Sequence, residues 1–269
     1  MTDATPSSVL ERPEPGIAVL RLNRPDRLNA LEVPGVRLIH AQLDEVARDH
    51  SVRVLIVTGE GKGFCAGLDL KAMQEGGAAS RTVREHDELQ TLFANLALRL
   101  RSLEPAVIAA VNGVAVGAGM AMTLAADIRL AASTASFHIG AVKIGITAGE
   151  CGISYHLPRL VGASRAFEVM LTGRPVAADE ALRIGLVADV VEPAQLMDRA
   201  FACAHQILGN SPYATRHTKR LMWANLDAPS LQAAIELENH AQVLGLMTED
   251  FHEATSAFAA KRKPVFTGR

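Results

Sequence analysis

The stretch Ala109–Asp127, AAVNGVAVGAGMAMTLAAD, is the part of the chain from which the fold is predicted. An apolar run, Val107–Val111, leads through an Asn-Gly turn into an apolar helix, and the bend between them reads Gly117-Ala118-Gly119. Because this bend carries almost no side chain, backbone N–H groups can approach a ligand closely, and the helix points its positive end the same way. The stretch predicts a strand–turn–helix unit suited to a developing negative charge.

Three interpretations fit a glycine-rich turn before a helix. A dinucleotide site is disfavoured, because Met122 stands where the third small residue of the G-x-G-x-x-G/A pattern belongs. Close packing of helix on sheet is the simplest interpretation of this stretch alone. An oxyanion hole is the third, and it requires a second donor from elsewhere in the chain.

A candidate second donor lies upstream in Gly59–Lys71, GEGKGFCAGLDLK, which follows a predicted strand and again enters a helix through small residues. Together with Asn23–Leu31, NRPDRLNAL, the two loops resemble the crotonase superfamily, the enoyl-CoA hydratases and isomerases. The resemblance continues in order through LAADIRLA (Leu124–Ala131), LPRLVG (Leu157–Gly162), LTGRPVAADEALRIGLVADVV (Leu171–Val191) and AFAAKRKPVF (Ala257–Phe266). It covers nearly the whole chain.

The first two-thirds of the chain alternate strands and helices, which indicates an α/β fold with helices outside a sheet. The resemblance implies a crotonase-like spiral of ββα turns with a helical C-terminal trimerisation region, and hence a homotrimer or homohexamer. We expect a loose N-terminal tail over residues 1–15, a spiral core over 16–205, and a helical region for oligomerisation and CoA contact over 206–269. The polar run Met73–Arg84 is expected to be mobile.

Composition narrows the class of protein. The chain has 269 residues, a net charge of −2 and 49% hydrophobic residues, with no apolar run long enough to span a membrane. Its N-terminus lacks the pattern of a signal peptide. Three scattered cysteines, with no zinc-ligand spacing, indicate a reducing compartment. We expect a cytoplasmic protein with no metal, no tightly bound cofactor, and neither nucleic acid nor membrane as partner.

The resemblance implies that a thioester carbonyl lies between the backbone N–H groups of Leu68 and Ala118. Abstraction of a proton beside a thioester builds an enolate, and fixed dipoles stabilise its oxygen without reorganising. Coenzyme A, as part of the substrate, would lie along Arg27, Leu28, Ala66, Leu68, Asp69 and Leu70. Phe258 and Lys261 match family positions that reach the CoA of a neighbouring subunit, and Arg262 and Lys263 extend that basic cluster.

The acid/base residues depart from the family. Hydratases of the family use two glutamates, and the matching positions here are Ala121 and Ala141. One carboxylate remains nearby, Glu150 in GITAGECG, where some isomerases of the superfamily place a single catalytic aspartate. Glu150 is either that base or a helix cap. His138 is an alternative base, although a structural role is the simpler interpretation.

Three further side chains are expected to be structural: Cys65 in the core, and Asp69 and Asp127 in turns. The sequence therefore predicts an acyl-CoA enzyme of the enoyl-CoA hydratase/isomerase family, active in fatty acid metabolism. Single-base chemistry such as double-bond isomerisation is favoured over two-glutamate hydration. The alternatives are a silent acyl-CoA-binding paralogue and an acyl-CoA decarboxylase or C–C lyase.

Overall fold

The computed structural model describes residues 5–75 and 81–269. Over these residues the strands form a six-stranded and a four-stranded sheet. The strands are β1 (Ser8–Glu14), β2 (Ile17–Leu22), β3 (Val54–Gly59), β4 (Gly63–Cys65), β5 (Ala106–Val111), β6 (Val114–Val116), β7 (Ile128–Ala132), β8 (Ser136–His138), β9 (Val176–Ala177) and β10 (Asp189–Val191).

Helices surround the two sheets and make up most of the chain beyond β8. They are α1 (Val33–Arg48), α2 (Leu70–Glu75), α3 (Val83–Ser102), α4 (Ala118–Ala125), α5 (Ile153–Val161), α6 (Ala163–Thr172), α7 (Ala178–Arg183), α8 (Leu196–Leu208), α9 (Pro212–Asn225), α10 (Leu231–Leu246) and α11 (Glu249–Ala259).

Strand order shows a repeating unit. The large sheet runs β1-β2-β3-β5-β7-β10 and the small one β4-β6-β8-β9. In the pairs β3–β4, β5–β6 and β7–β8, the first strand joins the large sheet and the second joins the small sheet. Helices follow each pair in the chain, and each pair advances one place along both sheets. This arrangement is the spiral of ββα turns that the resemblance implied.

The core lies on both faces of the large sheet. Every residue of β3 is buried, as is typical of a parallel strand covered on both sides. Leu55 and Val57 belong to the cluster that includes the apolar faces of α1 and α3, whereas Val54 and Ile56 belong to the cluster that includes α8. This alternation explains why the strand reads as a continuous apolar run rather than an amphipathic one.

The N-terminal expectation is wrong for seven of its fifteen residues, and residues 1–4 lie outside the described part of the chain. Residues 1–15 were expected to form a loose tail, but Ser8–Glu14 is strand β1, paired antiparallel with β2 from Ser8 opposite Leu22. The side-chain pattern of SVLERPE does not reveal the strand, because its stabilisation comes from main-chain hydrogen bonds to the otherwise open edge of β2.

The run Met73–Arg84 is only partly described. Its beginning belongs to α2, and Thr82 caps α3 in a reciprocal arrangement with Glu85, whose side chain accepts from the Thr82 N–H at 2.7 Å. The rest of the run that was expected to be mobile, residues 76–80, lies outside the described residues.

The C-terminal region is helical, from α9 to α11, and its end folds back onto the chain. Buried Asp250 accepts hydrogen bonds from the N–H groups of Thr267 and Gly268 and from the Ser211 hydroxyl. In contrast, α10 has no buried residue. Across the residues that the structure describes, no helix is both long enough and apolar enough to cross a membrane.

Candidate active site

The two glycine-rich loops lie against each other. Gly67 follows β4 with φ +78°, and Gly117 precedes α4 with φ +50°. A Cβ placed on Gly67 would lie 2.6 Å from the Val116 carbonyl oxygen and 3.6 Å from the Ala118 nitrogen. Both the backbone conformation and this close approach require glycine at position 67. The loop that bears Leu68 therefore adjoins the start of α4.

The N–H groups of Leu68 and Ala118 are available as donors. Hydrogen bonds flank Leu68 on both sides, since Leu31 donates to the Gly67 carbonyl and accepts from the Asp69 N–H. Among residues 5–75 and 81–269, however, no hydrogen bond uses either the Leu68 or the Ala118 N–H. Because Ala118 is buried and begins a helix, its unpaired N–H can serve an incoming acceptor.

The segments expected to line coenzyme A are brought together along one rim. The Ala66 N–H donates to the Leu28 carbonyl at 2.9 Å, which joins NRPDRLN to CAGLDL next to Arg27. Leu28, in a left-handed conformation, and Leu70 keep exposed side chains. The matched residues of these two segments are therefore neighbours in space.

Sequence reasoning missed two residues that hold this rim. Buried Asn29 has φ +58° and donates to the carbonyls of Glu60 and Gly63. Arg24 donates to the Ala30 carbonyl and pairs with Asp69 at 3.0 Å. In the sequence, these roles were indicated only by an asparagine in the NRPDRLN motif, a residue type that tolerates the left-handed backbone conformation.

Asp69 acts as a structural cap, as expected. Its carboxylate accepts from the Ala72 N–H at 3.1 Å and from Arg24, and these contacts hold the pKa of the Asp69 carboxyl below its usual range. The residue thus fixes the start of α2 directly after Leu68.

A cavity of about 280 Å³ lies beside the loop that carries Leu68 and Asp69. Its lining is mainly apolar: Leu31, Val33, Pro34, Leu68, Ala72, Met73 and Leu89, with Glu32, Asp69 and Arg81.

Glu150 lies at the other side of the same turn. Its Oε1 is 3.1 Å from the position that a Cβ on Gly117 would take, so the carboxylate is next to the residue that precedes the Ala118 N–H. The side chain is half-buried, and burial raises the pKa of the Glu150 carboxyl. No hydrogen bond or ion pair joins this carboxylate to another residue in the described part of the chain.

The other acid/base candidates occupy the neighbouring strand and helix. His138 accepts a hydrogen bond from Gly117 through its carbonyl, and its Nε2 lies 2.8 Å from the Ser136 hydroxyl. Burial and nearby Lys143 lower the pKa of the His138 imidazole. Ala121 and Ala141, at which the resemblance implies the two hydratase glutamates, are both buried.

Cys65 and Asp127 have the structural surroundings that were predicted. Cys65 is buried against Gly119, and burial raises the pKa of its thiol to about 12, which leaves it protonated and unreactive at neutral pH. Asp127 accepts from the Val107 N–H at 2.7 Å and pairs with Lys219 at 2.8 Å.

The C-terminal candidates lie on a separate surface of α11 and the turn after it. Phe258 is 86% exposed, and Lys261 follows the helix with φ +53°. Arg262 forms two hydrogen bonds with Glu253, at 2.6 and 2.7 Å, which also hold the pKa of the Glu253 carboxyl down at about 2. Arg262 is therefore engaged within its own chain rather than free to extend the basic cluster.

Known proteins with a similar sequence come from one enzyme family. Residues 12–269 match the family model described as enoyl-CoA hydratase/isomerase. A probable enoyl-CoA hydratase of Mycobacterium tuberculosis is 44% identical over 262 residues, covering 96% of this chain and 92% of that protein. The 1,2-epoxyphenylacetyl-CoA isomerase of Escherichia coli is 35% identical over 267 residues, covering 97% and 98% respectively.

A solved structure extends the likeness to three dimensions. The crystal structure of a probable enoyl-CoA hydratase/isomerase from Mycobacterium abscessus superposes with a TM-score of 0.90 at 39% identity, covering 98% of this chain and 99% of that one. The predicted crotonase-like α/β fold is thereby confirmed. With a family model spanning nearly its whole length and close relatives in both sequence and structure, the chain belongs to the enoyl-CoA hydratase/isomerase family of enzymes.

Proposed function

We propose that this enzyme stabilises the enolate of an acyl-CoA thioester and moves its proton with one base. The N–H groups of Leu68 and Ala118 bind the thioester oxygen, and Glu150 takes the proton. The observation that carries the proposal is the Glu150 carboxylate lying beside Gly117, directly before the Ala118 N–H. The proposed base and the proposed oxyanion donor are therefore close neighbours.

Isomerisation follows from this arrangement without a second acid. Ionised Glu150 removes a proton from the α- or γ-carbon of the acyl chain, and the C–H electron pair moves into a dienolate whose oxygen accepts from the two N–H groups. The protonated Glu150 then returns the same proton to the other carbon, which shifts the double bond. No water is consumed, and the carboxylate is regenerated.

One experiment distinguishes the proposed isomerase from a decarboxylase or C–C lyase and from a silent acyl-CoA-binding protein. Incubation with a panel of acyl-CoA thioesters in deuterated water should show exchange at the α-carbon without hydration. Loss of carbon from the thioester would instead identify a decarboxylase or C–C lyase. Tight binding without exchange would identify a silent acyl-CoA-binding protein and would overturn the proposed catalysis.

Binding of CoA thioesters should be measurable directly. Titration calorimetry with acetyl-CoA and butyryl-CoA is expected to show binding at the rim formed by Arg27, Leu28 and the loop from Ala66 to Leu70. Lys261→Ala should weaken this binding without lowering Tm, because the residue is exposed after α11. Absence of both heat and thermal shift at millimolar thioester would contradict the proposed substrate.

We also propose that the chain assembles as a homotrimer or homohexamer through residues 206–269. The support is apolar surface on α10 and α11 that the single chain leaves uncovered: Leu231, Ile235, Leu237, Val243, Leu244, Leu246, Phe251 and Phe258. Light scattering at micromolar concentration should give three or six times the chain mass, and a monomer would refute this assembly.

We further propose a cytoplasmic location, which fits the three free cysteines.

A further inference from the structure

We infer that Trp223 is a positioning residue, which keeps the helix that follows Glu150 in register with the helix that begins at Ala118. The inference rests on the function proposed above. Trp223 is the only tryptophan of the chain and lies near the end of α9. Its indole contacts Asp127, just past the end of α4, and His156 in the first turn of α5, so it joins the helix that begins at the candidate oxyanion donor to the helix that follows the candidate base.

The first contact is with the end of α4. The Trp223 Nε1–H donates to Asp127 Oδ1 at 2.6 Å, and Asp127 follows directly on the last turn of that helix. The second carboxylate oxygen accepts from the Val107 N–H of β5 and from Lys219, one turn earlier on α9. A single carboxylate thus ties α4, β5 and α9 together.

The second contact is with α5. The buried imidazole of His156 meets the indole edge-on, with 5.6 Å between the ring centroids. The backbone N–H of His156 donates to the Gly152 carbonyl at 3.0 Å. The Cδ2 atom of the His156 ring lies 3.4 Å from the position that a Cβ on Gly152 would take. Gly152 caps α5 two residues after Glu150, so a shift of His156 displaces the turn that holds Glu150.

A third contact to the indole comes from Arg101. The Arg101 guanidinium lies 4.4 Å from the centroid of the Trp223 ring and 5.1 Å from that of Tyr155. Arg159 covers the same Tyr155 ring at 3.7 Å, and the Tyr155 hydroxyl donates to Asp227. A cation–π contact attracts the guanidinium to the ring face. The indole is therefore contacted by Arg101 as well as by Asp127 and His156.

Two contacts therefore relate the start of α5 to α4. Glu150 lies against Gly117 at the start of α4, and Trp223 joins Asp127, just past the end of α4, to His156 in the first turn of α5. Proton removal and oxyanion binding act on the same thioester, so their separation must hold within about 0.5 Å. A misplacement of about 1 Å costs roughly 10²-fold in rate.

Trp223→Phe tests the bridge, because it keeps an aromatic ring but removes the bond to Asp127 and shortens the ring that reaches His156 and Arg101. Tyr213→Phe is the matched control, since it removes one hydrogen bond of the same helix, to the Ala241 carbonyl. We expect kcat for α-proton exchange to fall between about 10- and 100-fold in Trp223→Phe, with KM within twofold. Tyr213→Phe should keep kcat. A Trp223→Phe enzyme with kcat within twofold of wild type would overturn the inference.

A second pair of variants separates position from stability. His156→Phe keeps the edge-on ring contact and should retain kcat, whereas His156→Ala should lose as much as Trp223→Phe. Hydrogen–deuterium exchange should rise in residues 150–157 of Trp223→Phe but not of Tyr213→Phe. A uniform rise along the chain would overturn the inference. Should the wild-type enzyme turn over no thioester, the proposed function is wrong, and this exchange pattern alone decides the inference.

Discussion

Glu150→Gln should slow deuterium exchange at the α-carbon of a bound thioester by about 10²–10⁴-fold, the usual worth of one positioned proton-transfer group. The substitution keeps the side-chain volume and removes the proton acceptor, so CoA affinity should stay within twofold. Mass spectrometry of the recovered thioester measures the exchange. Glu45→Gln is the control, because Glu45 forms only a surface ion pair with Arg12.

The raised pKa of Glu150 predicts how both the exchange rate and the Tm depend on pH. Exchange requires ionised Glu150, and burial raises the pKa of this carboxyl above its ordinary value of 4.5, so the rate should fall with decreasing pH sooner than for an exposed glutamate. Since the folded pKa lies above the unfolded one, ionisation destabilises the fold as pH rises through the folded value. Glu150→Gln should therefore raise Tm at pH 7, with the difference vanishing in acid.

The helix-cap interpretation of Glu150 is wrong, because Gly152 is the N-cap of α5 and the Glu150 carboxylate makes no capping bond to any described residue. Exchange at the wild-type rate in Glu150→Gln would show that Glu150 is not the base either. His138 would then be the next candidate base, because its carbonyl already contacts Gly117 and its ring lies in the adjacent strand. His138→Gln in the same assay would decide between the two. A loss of exchange in that variant, with Glu150→Gln unaffected, would reassign the base.

Hydration of crotonyl-CoA should be slow or undetectable beside a two-glutamate hydratase assayed in parallel. This expectation rests on the predicted match of Ala121 and Ala141 to the two carboxylates, since each missing proton-transfer group is worth roughly 10²–10⁴-fold. Loss of the enoyl absorbance measures the reaction. Turnover close to that of the reference hydratase would show that the acid/base positions are elsewhere.

Restoring the glutamates should not restore hydration. Ala121 is 1% exposed and lies in α4, whose residues are all buried, while Ala141 is 5% exposed. A carboxylate introduced there must displace packed neighbours and loses its hydration. We expect the double variant Ala121→Glu, Ala141→Glu to have a lower Tm and no hydratase activity. Efficient hydration by it would contradict this view of the pocket.

Local pattern was sufficient for many elements. The run Ile17–Leu22, IAVLRL, has the composition of a strand and forms β2, and apolar residues at helical spacing between Glu85 and Leu103 lie in α3. The two glycine turns also lie where small residues and Asn-Gly indicated. Periodicity did not predict the spiral, which came from the resemblance, since the pairing of distant strands leaves little trace in the spacing of side chains.

The sequence by itself determined the small-residue loops, the helical C-terminal region and the family, while the absence of the two glutamates stays a prediction. Only the tertiary structure decided that β1 pairs with β2, that Glu150 lies against Gly117, and that Trp223 joins α4 to α5. These features depend on contacts between segments far apart in the chain. Local sequence propensity does not reveal such contacts, because they form only when the packed core brings the segments together.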